Sequence, residues 1–197
     1  PKALNALNPE VLADLKAAFE TIDQNTVRCV VLTGAGEKSF VAGADIGSMS
    51  TMTKAEGEAF GKLGNDIFLY IEKFPLPVIA AVNGFALGGG NELAMSGDIR
   101  LAADNAVFGQ PEVGLGITPG FGGTQRLARL VGMGMAKQML YAALNIDAQE
   151  ALRIGLVNAV YPQAELMENA LKLANKIARN APIAVRACKQ AVNEGMQ

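Results

Sequence analysis

The sequence predicts an α/β protein whose strands are mostly parallel. Short apolar runs rich in β-branched residues alternate with helical patterns in the first half of the chain. Helical patterns dominate the second half, where apolar residues recur every three or four positions. No low-complexity segment or clear repeat divides the 197 residues, so we expect one domain with a buried core.

The first helix is predicted from its start signal, because Asn8 is a capping residue and Pro9 suits the first helical position. The apolar residues that then repeat at helical spacing are Val11, Leu12, Leu15, Ala18, Phe19 and Ile22. The run 27–33 is mostly apolar and β-branched, which indicates a strand covered on both faces. Residues 34–45, rich in glycine and alanine, are predicted as a loop.

The middle of the chain predicts two more buried strands, 77–83 and 98–103. A helix precedes them over 53–73. Between the two strands lie a glycine-rich turn over 84–90 and a short helix that opens with 92–95.

The last part of the chain begins with an irregular segment, 108–123, that contains six glycines and two prolines. The elements predicted after it are helices over 124–144 (with a break at 132–134), 147–154, 165–179 and 183–194, and a strand over 156–161.

Composition excludes several function classes. The formal net charge is −2, which argues against a nucleic-acid binder or a polybasic membrane-surface protein. No apolar run is long enough to span a bilayer, and the N-terminus lacks the basic region and following apolar region of a signal peptide, so we expect a cytoplasmic protein and no membrane partner. Only 18 % of residues are charged, which favours a homo-oligomer. The abrupt start at Pro1 indicates a piece of a longer protein.

Histidine is absent from the chain, which excludes a Ser-His-Asp triad, a Cys-His dyad and a histidine metal site. The two cysteines, Cys29 and Cys188, lie among apolar neighbours, and we interpret both as small core residues. Acid–base chemistry therefore falls to Asp, Glu, Lys, Tyr or Cys. No spacing of acidic residues supports a metal site.

Two glycine patterns resemble nucleotide-binding loops without fitting them. In the segment 34–39, Glu37 separates Gly36 from Lys38 and places a negative charge where a phosphate would lie. The pair Gly132 and Gly134 follows a helical stretch and lacks the third glycine of a dinucleotide fingerprint.

Three features indicate a site for ligand binding and acid–base chemistry. Gly88, Gly89 and Gly90 link a buried strand to a helix start, where backbone N–H groups favour negative charge. A tight turn without a ligand is the simpler alternative, although three glycines add a flexibility that a plain turn does not need. Glu92 lies just inside the helix, and Glu112 lies in a mostly apolar loop that should raise its proton affinity. Two glutamates in different surroundings could divide acid and base roles.

The chain resembles the crotonase, or enoyl-CoA hydratase/isomerase, superfamily over essentially its whole length. The motifs that carry the resemblance are Pro1 to Leu7 (PKALNAL), Phe40 to Ile46 (FVAGADI), Ala81 to Ala94 (AVNGFALGGGNELA), Phe108 to Glu112 (FGQPE) and Pro119 to Leu127 (PGFGGTQRL). It is most similar to bacterial short-chain enoyl-CoA hydratases. The resemblance implies a spiral of ββα units over 1–144 followed by a mainly helical part over 145–197.

The resemblance also implies an acyl-CoA substrate, with no cofactor and no metal. The backbone N–H groups of Ala44 and Gly89 would form the oxyanion hole, while Glu92 would activate water and Glu112 would protonate C2. The residues that match segments lining the coenzyme A site are Lys2, Ala42, Ala44, Asp45, Ile46 and Gly88. Trimers paired into hexamers are implied, together with a strand and hairpin before Pro1 and helices after Gln197.

The pair of glutamates favours reversible hydration of a short-chain trans-2-enoyl-CoA. A double-bond isomerase or another acyl-CoA enzyme on the same fold is the alternative, and a non-catalytic acyl-CoA-binding homologue is a third. Asn91 stands where close relatives often have Cys, and Gly47 stands where a coenzyme A contact is often made. Acyl chain length, and the choice between fatty-acid oxidation and butyrate formation, stay open.

Overall fold

The computed structural model describes residues 2–195, so Pro1 of the first motif and the ends of the predicted domain lie outside the described residues. The helices are α1 (Pro9–Glu20), α2 (Ile46–Met49), α3 (Lys54–Glu72), α4 (Gly89–Ser96), α5 (Gly123–Val131), α6 (Met133–Tyr141), α7 (Ala148–Arg153), α8 (Leu166–Ala178) and α9 (Pro182–Gly195). Two 3₁₀ turns cover Glu112–Leu115 and Gln163–Glu165.

Within residues 2–195, eight strands form two four-stranded sheets. They are β1 (Val30–Thr33), β2 (Ser39–Val41), β3 (Val78–Val82), β4 (Phe85–Leu87), β5 (Ile99–Ala103), β6 (Val107–Gly109), β7 (Asn145–Asp147) and β8 (Ala159–Tyr161). The first sheet has the order β1-β3-β5-β8 and the second β2-β4-β6-β7. All pairs are parallel except β6 with β7, which confirms the predicted α/β class with mostly parallel strands.

Successive strand pairs place one strand in each sheet, so the chain winds as a spiral of ββα units. Strand β3 shows how the sheets are buried, because all five of its residues are inaccessible. Val78, Ala80 and Val82 face the larger core between the sheets, whereas Ile79 and Ala81 face α8. Two covered faces explain the unbroken apolar run of this strand.

The long helices α1 and α3 begin at the capping residues that the sequence provides. Asn8 caps α1 by accepting a hydrogen bond from the N–H of Val11. Thr53 and Glu56 form a capping box at the start of α3. Gly132, with φ +78°, breaks the predicted 124–144 helix into α5 and α6. None of the helices within residues 2–195 combines the length and apolar character needed to cross a bilayer.

Several predictions were wrong about short strands. The predicted loop 34–45 contains β2, the turn 84–90 contains β4, and the irregular segment 108–123 begins with the end of β6. These strands have three residues each, too few for a period of two to stand out, and their partners lie far away in sequence. Strand β1 is only partly buried, not covered on both faces, because it lies at the edge of its sheet.

The cysteine prediction was wrong for Cys188, which is exposed on α9. Cys29 is partly buried, and burial raises the pKa of its thiol to about 11. In α1, Leu12 and Phe19 are buried whereas Val11 and Ala18 are exposed, so the buried face is narrower than the apolar pattern suggested.

Candidate active site

Glu92 and Glu112 line the same cavity, which has a volume of about 780 Å³. The cavity lies among α3, the start of α4 and the segments that follow β2 and β6. Its wall is mostly apolar, and the two glutamates are buried, with exposed fractions of 1 % and 8 %. The structure thus brings together two carboxyl groups that the sequence separates by twenty positions.

Glu92 is positioned by α4 and held by the segment that starts α5. Its Oε1 atom accepts hydrogen bonds from the N–H of Phe121 at 2.9 Å and of Gly123 at 2.6 Å. Burial raises the pKa of Glu92 to about 7, and the charge of Glu112 acts in the same direction. The two N–H groups lower the pKa because they stabilise the carboxylate, so Glu92 exchanges its proton near neutral pH.

Glu112 begins the 3₁₀ turn that follows β6. Burial raises its pKa, as the apolar loop predicted. The side-chain amide of Gln110, oriented to satisfy its neighbours, donates to Oε1 at 2.9 Å and to Oε2 at 3.1 Å of Glu112. Gln110 is fully buried, so this pair fixes the direction of the Glu112 carboxyl group.

Two of the three glycines before Glu92 are required for different structural reasons. Gly88 has φ +52° and ψ −122°, and a Cβ atom there would lie 2.9 Å from Oε1 of Glu112. A Cβ at Gly90 would lie 1.8 Å from the carbonyl oxygen of Val41, so α4 packs backbone to backbone on β2. The lack of a side chain at Gly88 therefore leaves room for the Glu112 carboxyl group, and the lack of one at Gly90 allows α4 to pack closely on β2.

Two backbone N–H groups line the cavity without a hydrogen-bond acceptor among the described residues. Ala44 forms a parallel bridge with Leu7, in which the N–H of Leu7 donates to Gly43 and the N–H of Asp45 donates to Leu7. This pattern leaves the N–H of Ala44 unused. Gly89 is the first residue of α4, so its N–H has no partner within the helix.

The predicted coenzyme A residues divide into two groups. Ala42, Ile46 and Gly88 line the cavity, as does Ala44. Asp45 instead caps α2, where Oδ1 accepts from the N–H of Gly47 at 3.0 Å.

Lys2 is exposed and lies outside the cavity lining. Its segment is anchored beside Ala42, whose N–H donates to the carbonyl of Leu4 at 3.1 Å. A coenzyme A contact by Lys2 or Asp45 therefore stays a prediction.

Sequence reasoning missed the groups that support the glutamates. In the sequence, Gln110 stands out only as part of the FGQPE motif, and no local pattern marks the N–H groups of Phe121 and Gly123 as partners of Glu92. The available signal is the glycine pair at the start of α5, because the free N–H groups at a helix start attract a carboxylate.

The comparisons with known proteins agree across the whole chain. A family model described as enoyl-CoA hydratase/isomerase matches residues 1–197. A short-chain-enoyl-CoA hydratase of Clostridium acetobutylicum is 64 % identical over all of this chain and 76 % of its own. A crotonyl-CoA hydratase of Syntrophomonas wolfei is 58 % identical with the same coverage. The crystal structure of an enoyl-CoA hydratase from Bacillus anthracis superposes with a TM-score of 0.97 at 44 % identity, over 100 % of this chain and 76 % of that one.

Proposed function

The chain belongs to the enoyl-CoA hydratase/isomerase family, and we propose that it is an enoyl-CoA hydratase. The reaction is the reversible syn addition of water to a short-chain trans-2-enoyl-CoA, which gives a 3-hydroxyacyl-CoA. The observation that carries the proposal is the pair of buried carboxyl groups, Glu92 and Glu112, with raised pKa values in one cavity. The names of the relatives from Clostridium acetobutylicum and Syntrophomonas wolfei support the same reaction and the short acyl chain.

In this proposal, the thioester oxygen accepts hydrogen bonds from the N–H groups of Ala44 and Gly89. Neither group has an acceptor among residues 2–195 and both line the cavity, so they are available to an oxygen that gains charge. As water adds to C3, electrons move from the double bond to this oxygen and form an enolate. One such donor typically lowers the barrier by about 3 kcal/mol.

Glu92 acts as the base and Glu112 as the acid. Glu92, ionised, takes a proton from the water whose oxygen bonds to C3. Glu112, protonated, gives its proton to C2 as the enolate collapses. A base works best when its pKa lies near the working pH, which fits the value of about 7 for Glu92. Proton exchange with solvent restores the starting state, and the reverse sequence dehydrates the product.

We also propose that the adenine nucleotide end of coenzyme A lies towards Lys2 and the segment Ala42–Ile46, because Ala42, Ala44 and Ile46 line the cavity. We propose further that the chain forms a homotrimer or homohexamer and is located in the cytoplasm. Large apolar side chains that are exposed in this chain support an oligomer, among them Met133, Tyr141 and Ile183. Both cysteines are free thiols, which fits a reducing compartment.

A product assay separates hydration from double-bond isomerisation, the second activity in the family description. The protein is given crotonyl-CoA and, separately, the β,γ-unsaturated isomer. We expect 3-hydroxybutyryl-CoA from crotonyl-CoA, detected by mass as the gain of one water. Conversion of the β,γ-isomer to crotonyl-CoA without any hydration would assign the isomerase instead.

A further inference from the structure

Helix α3 presents two glycines to the cavity. Gly57 and Gly61 are four residues apart, so they lie on one face of the helix, and both line the cavity that holds the glutamates. Each leaves a stretch of helix backbone facing the cavity without a side chain.

The packing of the described residues does not require either glycine. A Cβ atom at Gly57 would meet no described atom within 4 Å, and one at Gly61 would meet only the carbonyl oxygen of Gly120, at 3.9 Å. Gly64 differs, because a Cβ there would lie 2.3 Å from the ring of Phe121. Glycine in a helix interior lowers helix stability relative to alanine, so Gly57 and Gly61 weaken α3 without relieving a clash.

The glycine face lies beside the segment that holds Glu92. Gly61 lies beside Gly120, and the next residue, Phe121, donates its N–H to Glu92. Phe60 packs edge-on against Phe121 with ring centroids 5.3 Å apart, which fixes α3 against this segment. Apolar side chains of Leu115 and Ile117 line the same cavity.

We infer that the glycine face of α3 is the wall of the acyl-chain channel and sets the longest chain that the site accepts. The inference rests on the proposed function. With the thioester oxygen at Ala44 and Gly89, and C2 and C3 between the glutamates, carbons beyond C4 run along Gly57 and Gly61. The channel therefore has room for carbons beyond C4, and a side chain at Gly61 reduces that room.

The test compares the intact protein with Gly61→Leu and Gly134→Leu. Leucine is a good helix former, so Gly61→Leu should melt at or above the wild-type temperature. Gly134 is an exposed glycine of α6 outside the cavity lining and serves as the matched control. Hydration of trans-2-hexenoyl-CoA and crotonyl-CoA is measured together with binding of the unreactive hexanoyl-CoA and butyryl-CoA.

We expect Gly61→Leu to lower kcat/KM for the six-carbon substrate, relative to the four-carbon one, at least tenfold. Binding of hexanoyl-CoA should weaken by a similar factor relative to butyryl-CoA, because each buried methylene strengthens binding roughly fourfold. Gly134→Leu should leave both ratios within twofold of wild type. Unchanged ratios in Gly61→Leu, or a wild type that hydrates only the four-carbon substrate, would overturn the inference.

The binding readout keeps the two proposals separate. A lost preference for hexanoyl-CoA in a protein that hydrates neither substrate would refute the hydratase and support the channel. Normal hydration of both substrates by Gly61→Leu would support the hydratase and refute the channel.

Discussion

Glu92 combines nearly complete burial with a pKa of about 7, and this links the site to the stability of the fold. In the unfolded chain its pKa returns to the ordinary value of 4.5. Between pH 4.5 and about pH 7, the Glu92 carboxyl group is protonated in the folded state and ionised in the unfolded state. The stability from the raised pKa is therefore complete below pH 4.5 and is lost as the pH rises through 7.

Glu92→Gln should remove this pH dependence. Relative to the variant, the wild type should lose about 3 kcal/mol of unfolding free energy between pH 4.5 and pH 8, since each pKa unit corresponds to about 1.4 kcal/mol. Urea unfolding of both proteins across this range measures the difference. Glu150→Gln is the control, because the pKa of Glu150 is lowered by Arg153 and its contribution is constant above pH 5. A wild-type to Glu92→Gln difference that stays constant with pH would contradict the burial account.

Gly88 tests the contact between the glycine turn and Glu112. Gly88→Ala places a side chain at φ +52° and pushes it against Oε1 of Glu112. We expect a loss of about 2 kcal/mol of unfolding free energy from backbone strain. Crotonyl-CoA hydration should fall at least tenfold because Glu112 is displaced. Gly134→Ala, which meets no described atom within 4 Å, should lower neither quantity, and a fully active Gly88→Ala would refute the contact.

The residues of the site were only partly predictable. Glu92, Glu112 and the glycine turn were found because their residue types are unusual in an apolar context and match a family motif. The supporting groups, Gln110 and the N–H of Phe121, act through geometry that no local pattern encodes. The sequence also could not show that Glu92 would have its pKa raised, since an acidic residue in a first helical turn is usually a solvated one.

At the scale of elements, helices were predicted better than strands. The capping box at Thr53 and Glu56 lies next to the helix it starts, so a local reading finds α3 within one residue of its true ends. Strands β2, β4 and β7 have three residues and depend on partners distant in sequence. These strands form only through tertiary contacts, so the neighbouring residues in the sequence do not predict them.

Helix α9 is tied to the first sheet by Lys189. Its Nζ atom donates to Oδ2 of Asp98 at 2.7 Å and to the carbonyl of Leu76 at 3.0 Å, and the side chain is 8 % exposed. Oδ2 of Asp98 also accepts from the N–H of Val78, so one ion pair connects α9 to the starts of β3 and β5.

Lys189→Met should keep the apolar stem and remove this tie. We expect α9 to lose about 2 kcal/mol of local stability, because the Asp98 carboxylate loses a buried charged hydrogen bond and the Leu76 carbonyl loses its donor. Hydrogen exchange of the amides in Pro182–Gly195 should then accelerate at least tenfold. Lys172→Met, at an exposed position of α8, should leave exchange in α9 unchanged. Equal rates in both variants would show that other contacts hold α9.

At the scale of the whole molecule, the chain builds one site from the second sheet and several units of the spiral. Ala44 follows β2, Gly88 and Glu92 follow β4, and Glu112 follows β6, so the ends of three neighbouring strands of the second sheet meet at the cavity. The carboxyl ends of parallel strands share one edge of a sheet, which explains why residues distant in sequence converge. The predicted division at residue 145 stays a prediction, and β7 and β8 from its C-terminal side complete the two sheets.

The measurement that tests the central claim most directly is crotonyl-CoA hydration by wild type and Glu112→Gln. Loss of the conjugated double bond is followed by absorbance, and binding of butyryl-CoA is followed in the same preparations. Glu168→Gln, an exposed glutamate of α8, is the control.

We predict rapid hydration by the wild type and by Glu168→Gln. Glu112→Gln should be slower by roughly a thousandfold, because removal of a general acid typically costs two to four orders of magnitude, while butyryl-CoA still binds. Hydration by Glu112→Gln at nearly the wild-type rate would contradict the account.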